Sequence, residues 1–303
     1  MSDHRARVTG GQLRICQLNI GSLLEPDWDR RQSEIVSWID HLQPDVVCLQ
    51  EVWQSGRTPN SADQIVEALD TPMEWTFGGH GVQGTLSREP GAEFGSAILS
   101  RWPIDGQSVH RLPTYDDSDP IVNSVPWELL QVSTAGLDIF STHLAPAPSH
   151  GLHRRMQVLA IDDIIGQARG TKDDHRGFGQ RRTGMPPLLC GDFNAEPDSD
   201  EIRFLCGLTS FDDRTTFYQD AWRVAGTGEG LTQDWRDNYI AEGLNIPRKR
   251  IDYVFVGDPF LREGDAGRVL DAQLAFHEPR TGIVASDHRG LVVDVVWPDR
   301  PKG

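Results

Sequence analysis

LRICQLNIGSLLEPDWDRRQSEIVSWIDHLQPDVVCLQ, residues 13–50, contains three elements in a telling order. LRICQLNI (13–20) is a short apolar run dense enough for a buried strand. DRRQSEIVSWIDHLQ (29–43) puts Ile35, Trp38, Ile39 and Leu42 on one helical face, and Pro44 ends the helix because its ring excludes a further turn. DVVCLQ (45–50) is a continuous apolar run, as a strand covered on both faces requires. Strand, helix and strand predict a βαβ-like opening.

The pattern continues outward from there. A helix is expected near 61–69 and another over 151–169, where Leu152, Met156 and Leu159 recur at helical spacing. Strands are expected at GSAILS (95–100), PLLCGD (187–192), IDYVFV (251–256), LDAQLAF (270–276) and GLVVDVVW (290–297). ELLQVS and GLDIFST read as a hairpin turning around Thr134-Ala135-Gly136. Ser199 is placed to cap a short helix containing Ile202 and Leu205. Helices alternate with strands and hairpins over the whole length, with no break in composition. The expectation is a flexible tail over 1–11 and a single α/β domain over 12–303, built from two packed sheets flanked by helices. Residues 78–94, 112–127 and 170–185 read as solvated loops, the last carrying Lys172, Arg176, Arg181 and Arg182.

The 303 residues are 38% hydrophobic and 24% charged, enough apolar content for a large core and too much for a disordered chain. The net charge of −16 opposes nonspecific binding to nucleic acid or anionic membranes, unless bound cations or local Arg clusters reverse the field at one site. Cys16, Cys48 and Cys190 sit in apolar runs and, with Cys206, form no CxxC pair; small buried hydrophobes are expected, not disulfides or zinc ligands. The polar N-terminus has no secretory h-region and no stretch reaches membrane-spanning length, so a cytoplasmic protein without integral membrane association is expected.

Several apolar strands end in a polar residue: Asn19, Glu51, His143, and Asp192 with Asn194 two further on. In the last third the order inverts. Asp252 begins its strand, and Asp287-His288 precede theirs. Antiparallel pairing sets the amino end of one strand beside the carboxyl end of its neighbour, so all of these can reach one rim. Carboxylate and amide oxygens suit Mg²⁺ or Mn²⁺ and not a thiolate-bound metal. Phosphoester hydrolysis needs a positioned water, neutralised phosphoryl charge and a stabilised leaving oxygen, and this inventory supplies each. Singly the residues are ordinary: a strand-end Asp is usually a turn residue, a lone His a hydrogen-bonded structural group, and Asn19 or Asn194 a left-handed turn.

The surrounding strings shift that balance. LNIGS (18–22), PDVVCLQEV (44–52), FGSAILSRWPI (94–104), FSTHLAP (140–146), LLCGDFNAEPDS (188–199), KRIDYVFV (249–256) and SDHRGLVVDV (286–295) together resemble the endonuclease/exonuclease/phosphatase superfamily, of deoxyribonuclease I-like fold. The resemblance implies a four-layer α/β sandwich with the site at one end. It implies metal held by Glu51, with Asn19 close by and Asp287 near that metal or a second one. Asp192 would orient or deprotonate the attacking water, and Asn194 would help hold phosphate and water. His288 would stabilise the pentavalent phosphoryl group, Asp252 would fix His288, and His143 would contact a phosphate oxygen.

Substrate is less legible. A phosphodiester of nucleic acid or nucleotide is narrowly favoured over a phospholipid, sphingomyelin-type or small phosphoester, with nucleic acid as one candidate partner. A catalytically idle binding module on the same fold is the reading from another class, although the chain keeps Glu51, Asp192 and His288. Trp53 and Trp127 are candidate substrate contacts, Arg181 and Arg182 candidate phosphate grips. His80, His110, His150, His153 and His277 show no metal spacing and read as surface or capping histidines.

Overall fold

The computed structural model describes residues 11–82, 89, 91–116, 118–169, 183–234, 236, 238, 240, 248–257 and 262–301. Lys172, Arg176, Arg181 and Arg182 lie outside the described residues, as do residues 1–10 of the expected tail.

The opening stretch folds as its periodicity dictates, into β1 (Gln12–Asn19), α1 (Trp28–Leu42) and β2 (Val46–Gln54). β1 and β2 are parallel, from Ile15 opposite Val46 to Asn19 opposite Gln50. A parallel pair needs a crossover, and α1 provides it. The arrangement recurs with β8 (Leu137–His143), α3 (Gly151–Arg169) and β9 (Leu188–Asp192), where β8 and β9 are again parallel.

Each parallel pair lies inside a mixed sheet extended by antiparallel strands. The first sheet runs β12 (Val269–Ala275), β13 (Gly290–Val296), β1, β2, β5 (Glu93–Ser100), β3 (Glu74–Phe77), with β4 (His80–Gly81) also on β5. The second runs β10 (Tyr218–Asp220), β11 (Asp252–Gly257), β9, β8, β7 (Glu128–Thr134), β6 (Ile104–Arg111). Between the sheets, Leu13, Ile15, Cys48 and Ile98 meet Val132, Ile139, Cys190 and Val254. On one outer face α1 lays Ile35, Trp38, Ile39 and Leu42 over Cys16, Leu18 and Leu49, with α2 (Ser61–Ala68) beside it. On the other, α3 and α4 (Asp200–Leu205) lay Val158, Ile161 and Phe204 over Phe140, Leu189 and Phe255. The result is a four-layer α/β sandwich, each large buried side chain contributing about 1.5–3 kcal/mol. All four cysteines are buried free thiols.

Local details follow from backbone chemistry. The β7–β8 hairpin turns on Ala135 (φ 48°) and Gly136 (φ 78°), the paired left-handed conformation that matches strand twist in a two-residue loop. β6 is an addition to the sequence reading: IDGQSVHR has no apolar run because this edge strand is mostly exposed and, among the described strands, pairs with β7 alone. Ser199 is the N-cap of α4, yet its side chain makes no capping bond. His150 and His153 are buried rather than superficial. Each uses Nδ1 to accept a backbone N–H, from Ala147 and Tyr115 respectively, and His150 Nε2 lies 3.0 Å from Asp119. That pins the 112–127 segment to the start of α3.

Candidate active site

Strand alternation decides what faces the space between the sheets. Leu13 and Ile15 point there from β1, so Gln17 and Asn19 follow on the same face. By the same period, Leu137 and Ile139 lead to Ser141 and His143, and Leu188 and Cys190 lead to Asp192. Val256 and Val254 lead back to Asp252. The apolar interior therefore turns polar toward one rim. Its first polar layer is a buried network: Gln17 Nε2 donates to Gln50 Oε1 (2.7 Å) and Asp252 Oδ1 (2.9 Å), and Gln50 Nε2 to Ser141 Oγ (3.0 Å).

The next layer holds the chemistry. His143 stands opposite Asp192 across the parallel β8–β9 pair, and Asp192 stands opposite Asp252 across the antiparallel β9–β11 pair. Such close packing needs Gly191, where a Cβ would lie 2.1 Å from the Thr142 carbonyl oxygen. From the facing sheet, Asn19 Nδ2 donates to Glu51 Oε1 (3.0 Å) and Asp192 Oδ2 (3.1 Å), while its Oδ1 accepts from Gly21 N–H (3.1 Å). Two carboxylate acceptors fix that amide's orientation. Glu51 sits where the β2–β5 register shifts, between Leu49 and Val52, with φ 57°. A non-glycine residue held there costs about 1–3 kcal/mol, and such bulges re-aim side chains at functional rims.

His143 Nε2 is 3.5 Å from Asp192 Oδ2 and 4.0 Å from Glu51 Oε1. His288 arrives on the loop before β13, which is held by bridge pairing with Gln233 and by Arg289 N–H donating to the Thr232 carbonyl. Its Nδ1 meets Asp252 Oδ2 at 2.8 Å; its Nε2 is 3.7 Å from both Asp192 Oδ2 and Asp287 Oδ1. Asn194, left-handed at φ 48°, donates its N–H to Asp192 Oδ1 (2.8 Å) and its Nδ2 to the Leu144 carbonyl (3.0 Å). Asn19, Glu51, His143, Asp192, Asp252, Asp287 and His288 thus converge, with Asn194 bracing Asp192.

Burial pushes the Asp192 carboxyl up to about 6, and Asp252 adds to that, against the pull of His288 and His143. Burial alone would lower His288, but Asp252, Asp287 and Asp192 outweigh it and hold the imidazole well above its ordinary value. These three carboxylates favour the cationic form of the imidazole.

Two participants escaped the sequence reading. Burial, then Asp287, pushes the Glu25 carboxyl up to about 10, with Glu51 contributing. Glu25 accepts from Asp287 N–H (3.3 Å) and pairs with Arg31 Nη1 (3.2 Å). Arg31 is fully buried and donates to the carbonyls of Ile20, Ser22, Pro26 and Ala285, tying both site loops to α1. Neither has a local signal. Gln17 and Gln50 did have one: an amide inside an apolar strand run must find a partner.

Trp53 and Trp127 are buried, at 5% and 4% exposure. Trp127 packs edge-on against His143 at 5.6 Å and donates its indole N–H to the Val122 carbonyl; Trp53 packs against Phe94. They form a wall behind His143 rather than an exposed stacking platform.

Two carboxylate groupings are candidates for a cation. Asp192, Asp252 and His288 bring ligand atoms within 4.8 Å of one another. There, however, Asp252 and the His288 Nδ1 are spent on each other, and a cationic imidazole repels a metal. The other grouping is Glu25, Asp287 and Glu51: burial first, then Asp287, raises the Glu25 carboxyl to about 10, with Glu51 a smaller cause, and a hard divalent cation there would offset that gathering of negative charge.

A family model described as the endonuclease/exonuclease/phosphatase family matches residues 16–288. The chain belongs to that family. An endonuclease/exonuclease/phosphatase from Beutenbergia cavernae DSM 12333 has a similar structure, with TM-score 0.67 and 23% identity over 97% of this chain and 73% of that one. TDP2 from D. rerio, complexed with single strand DNA product, is similar with TM-score 0.65 and 18% identity over 94% of this chain and 98% of that one. The human Nocturnin catalytic domain with bound sulfate anion is similar with TM-score 0.61 and 18% identity over 95% of this chain and 94% of that one. No curated protein matches the chain in sequence. At these identities the likeness is one of fold, and it places this family member among structures of the same four-layer architecture. Among the described residues, no helix is long and apolar enough to cross a membrane.

Proposed function

We propose that this family member is a divalent-metal-dependent phosphoester hydrolase that directs water at phosphorus, acting on a phosphodiester of nucleic acid or a nucleotide. The observation that carries the reading is one oxygen. Asp192 Oδ2 lies within 3.1–3.7 Å of Asn19, His143 and His288, while Oδ1 is occupied by the Asn194 N–H. A carboxyl raised to about 6 is ionised at neutral pH yet basic enough to take a proton from an attacking water. The His288 cation, steered by Asp252, faces the same space and stabilises charge gathering on the phosphoryl oxygens. His143 supplies a second donor there. Glu51 and Asp287, with Asn19 beside them, would hold Mg²⁺ or Mn²⁺, which when bound withdraws charge from a phosphoryl oxygen.

The preference for nucleic acid or nucleotide has outside support: a structure of the same fold carries single strand DNA product, and another a sulfate, tetrahedral like phosphate. The net charge of −16 argues against tight nonspecific DNA binding and suits a small or single-stranded substrate. The test is turnover of bis-p-nitrophenyl phosphate, p-nitrophenyl phosphate and a short single-stranded oligonucleotide, with Mg²⁺, Mn²⁺ or EDTA. Metal-dependent cleavage of diesters over the monoester is expected. Turnover unaffected by EDTA would remove the metal from the mechanism, and none on any phosphoester would return the chain to the idle binding module.

A further inference from the structure

The strand ladders stop short of the two residues they bring together. β10 pairs with β11 from Gly257 back to Phe255, so Asp252 lies beyond it. β13 pairs with β1 back to Leu291 and with β12 back to Gly290, so His288 lies beyond both. Asp252 belongs to the second sheet and His288 to the segment entering the first, and their 2.8 Å bond crosses from one to the other. That bond needs its two backbones held at a fixed separation. A displacement of about 1 Å in a catalytic group can cost about 10²-fold in rate.

Thr232, Gln233 and Asp234 make the missing connection. Thr232 is fully buried, and its Oγ1 accepts from Ile251 N–H (3.1 Å) and Asp252 N–H (3.2 Å). Its carbonyl accepts from Arg289 N–H (2.6 Å). Gln233 exchanges two backbone hydrogen bonds of 2.9 Å with Lys249 and forms a bridge with His288. Asp234 is buried and accepts from Arg236 Nε (3.1 Å) and Nη2 (2.9 Å) on its own segment. It also accepts from Arg248 Nε (3.1 Å), and Arg289 Nη2 lies 3.6 Å away. Each of the three residues therefore touches both the chain entering β11 and the chain entering β13. A buried carboxylate among guanidiniums holds its place because leaving them would strand a charge away from water.

We propose that Thr232–Asp234 is a positioning strap that staples the two sheets at the catalytic rim and sets the reach of Asp252 to His288. Thr232 works from the Asp252 end and Asp234 from the Arg289 end. The inference rests on the catalytic role given to His288 and adds the residues that aim it. Thr232 has no exposed surface and acts through what it holds, so its loss falls on kcat and not on KM.

The test reads the Asp252–His288 bond directly and through turnover. Thr232→Val removes the hydroxyl at nearly constant shape, and Thr232→Ser returns it. In proton NMR, the His288 Nδ1–H resonance, identified by its loss in His288→Ala, should move in Thr232→Val and recover in Thr232→Ser. On bis-p-nitrophenyl phosphate with saturating Mg²⁺, Thr232→Val should lower kcat by about tenfold or more while KM stays within about twofold, and Thr232→Ser should restore most of the loss. In a His288→Ala background the same change should cost less than about threefold further, because the group through which it acts is gone. A general loosening of the fold would keep the full factor there. Asp234→Asn leaves Thr232 in place, repeats the comparison from the other end of the strap, and decides it if Thr232→Val does not fold. An unmoved Nδ1–H resonance, an unchanged kcat, or a full loss retained in the His288→Ala background overturns the proposal. Absence of wild-type turnover on every phosphoester would overturn the catalytic reading instead, and the NMR comparison would still decide the strap.

Discussion

Asp192 and Asp252 stand opposite each other across β9 and β11, yet only Asp252 is bonded to His288, at 2.8 Å. Neighbouring carboxylates with different partners take different roles. Asp252 has its oxygens committed to His288 Nδ1 and Gln17 Nε2. Asp192 keeps Oδ2 facing His143, His288 and Asn19.

His288→Ala should therefore lower kcat on bis-p-nitrophenyl phosphate by about 10²-fold or more, the usual scale for an electrostatic or acid–base group. Asp252→Asn should fall between it and wild type, because the ring remains but loses its carboxylate. Steady-state kinetics under saturating Mg²⁺ measures both. If Asp252→Asn were as active as wild type, the positioning role given to Asp252 would be wrong.

Gly191→Ala tests the packing that brings His143 and Asp192 together. The new Cβ would lie 2.1 Å from the Thr142 carbonyl, a backbone atom that cannot rotate away. β8 and β9 must separate, at about 1–3 kcal/mol for an overpacked core. Urea unfolding should show that loss, and activity should fall with it even at temperatures where the variant is folded. Unchanged stability would mean the strands separate without cost.

Much of this was written into local sequence. Apolar runs ending in Asn19, Glu51, His143 and Asp192 carry both the strand and its terminal chemistry in adjacent residues, so periodicity recovers both. Glu25 and Arg31 were illegible because their importance is created by loops distant in sequence: Arg31 reaches Ala285, and Glu25 reaches Asp287. The left-handed Glu51 was equally hidden, since a bulge is a mismatch between β2 and β5. Trp53 and Trp127 looked like rim residues from their spacing, but tertiary packing closed them behind His143.

Arg31 is the cation on which the loop geometry depends. Arg31→Met keeps the stem and removes every donor, leaving the carbonyls of Ile20, Pro26 and Ala285 without it. Breaking such a buried polar cluster costs about 3–5 kcal/mol. Equilibrium urea unfolding is expected to show a loss of unfolding free energy of that size, read as a lower midpoint at unchanged m. A variant within experimental error of wild type would show that water replaces the guanidinium freely.

Glu128 gives the fold a pH dependence of its own. Burial pushes its carboxyl up to about 9, and its neighbours are His80 Nδ1, in contact with Oε2, and the Ser96 backbone. In the unfolded chain the group titrates near 4.3, at about the free glutamate value. A raised folded value means its contribution to stability is complete below about 4 and is lost as pH rises through about 9. Glu128→Gln removes that loss while keeping the shape. The Tm of Glu128→Gln minus that of wild type should grow between pH 5 and pH 9 by about 2 °C or more. Parallel curves would show that the carboxyl is ionised in the fold and neutralised by His80.

Mg²⁺ binding separates the two carboxylate groupings without reference to turnover. A ligand that binds only the folded chain raises Tm in proportion to the logarithm of its concentration over Kd. If Glu51 is a ligand, Glu51→Gln should need about tenfold more Mg²⁺ for the same rise, a typical loss when a metal site is weakened. Asp252→Asn should leave the Mg²⁺ response intact, because Asp252 is already committed to the His288 imidazole. The opposite pattern, with Asp252→Asn abolishing the shift and Glu51→Gln preserving it, would move the cation to Asp192, Asp252 and His288. It would also deprive His288 of its positive charge, since a metal-bound imidazole is neutral, and the roles on the two sides of Asp192 would have to be exchanged.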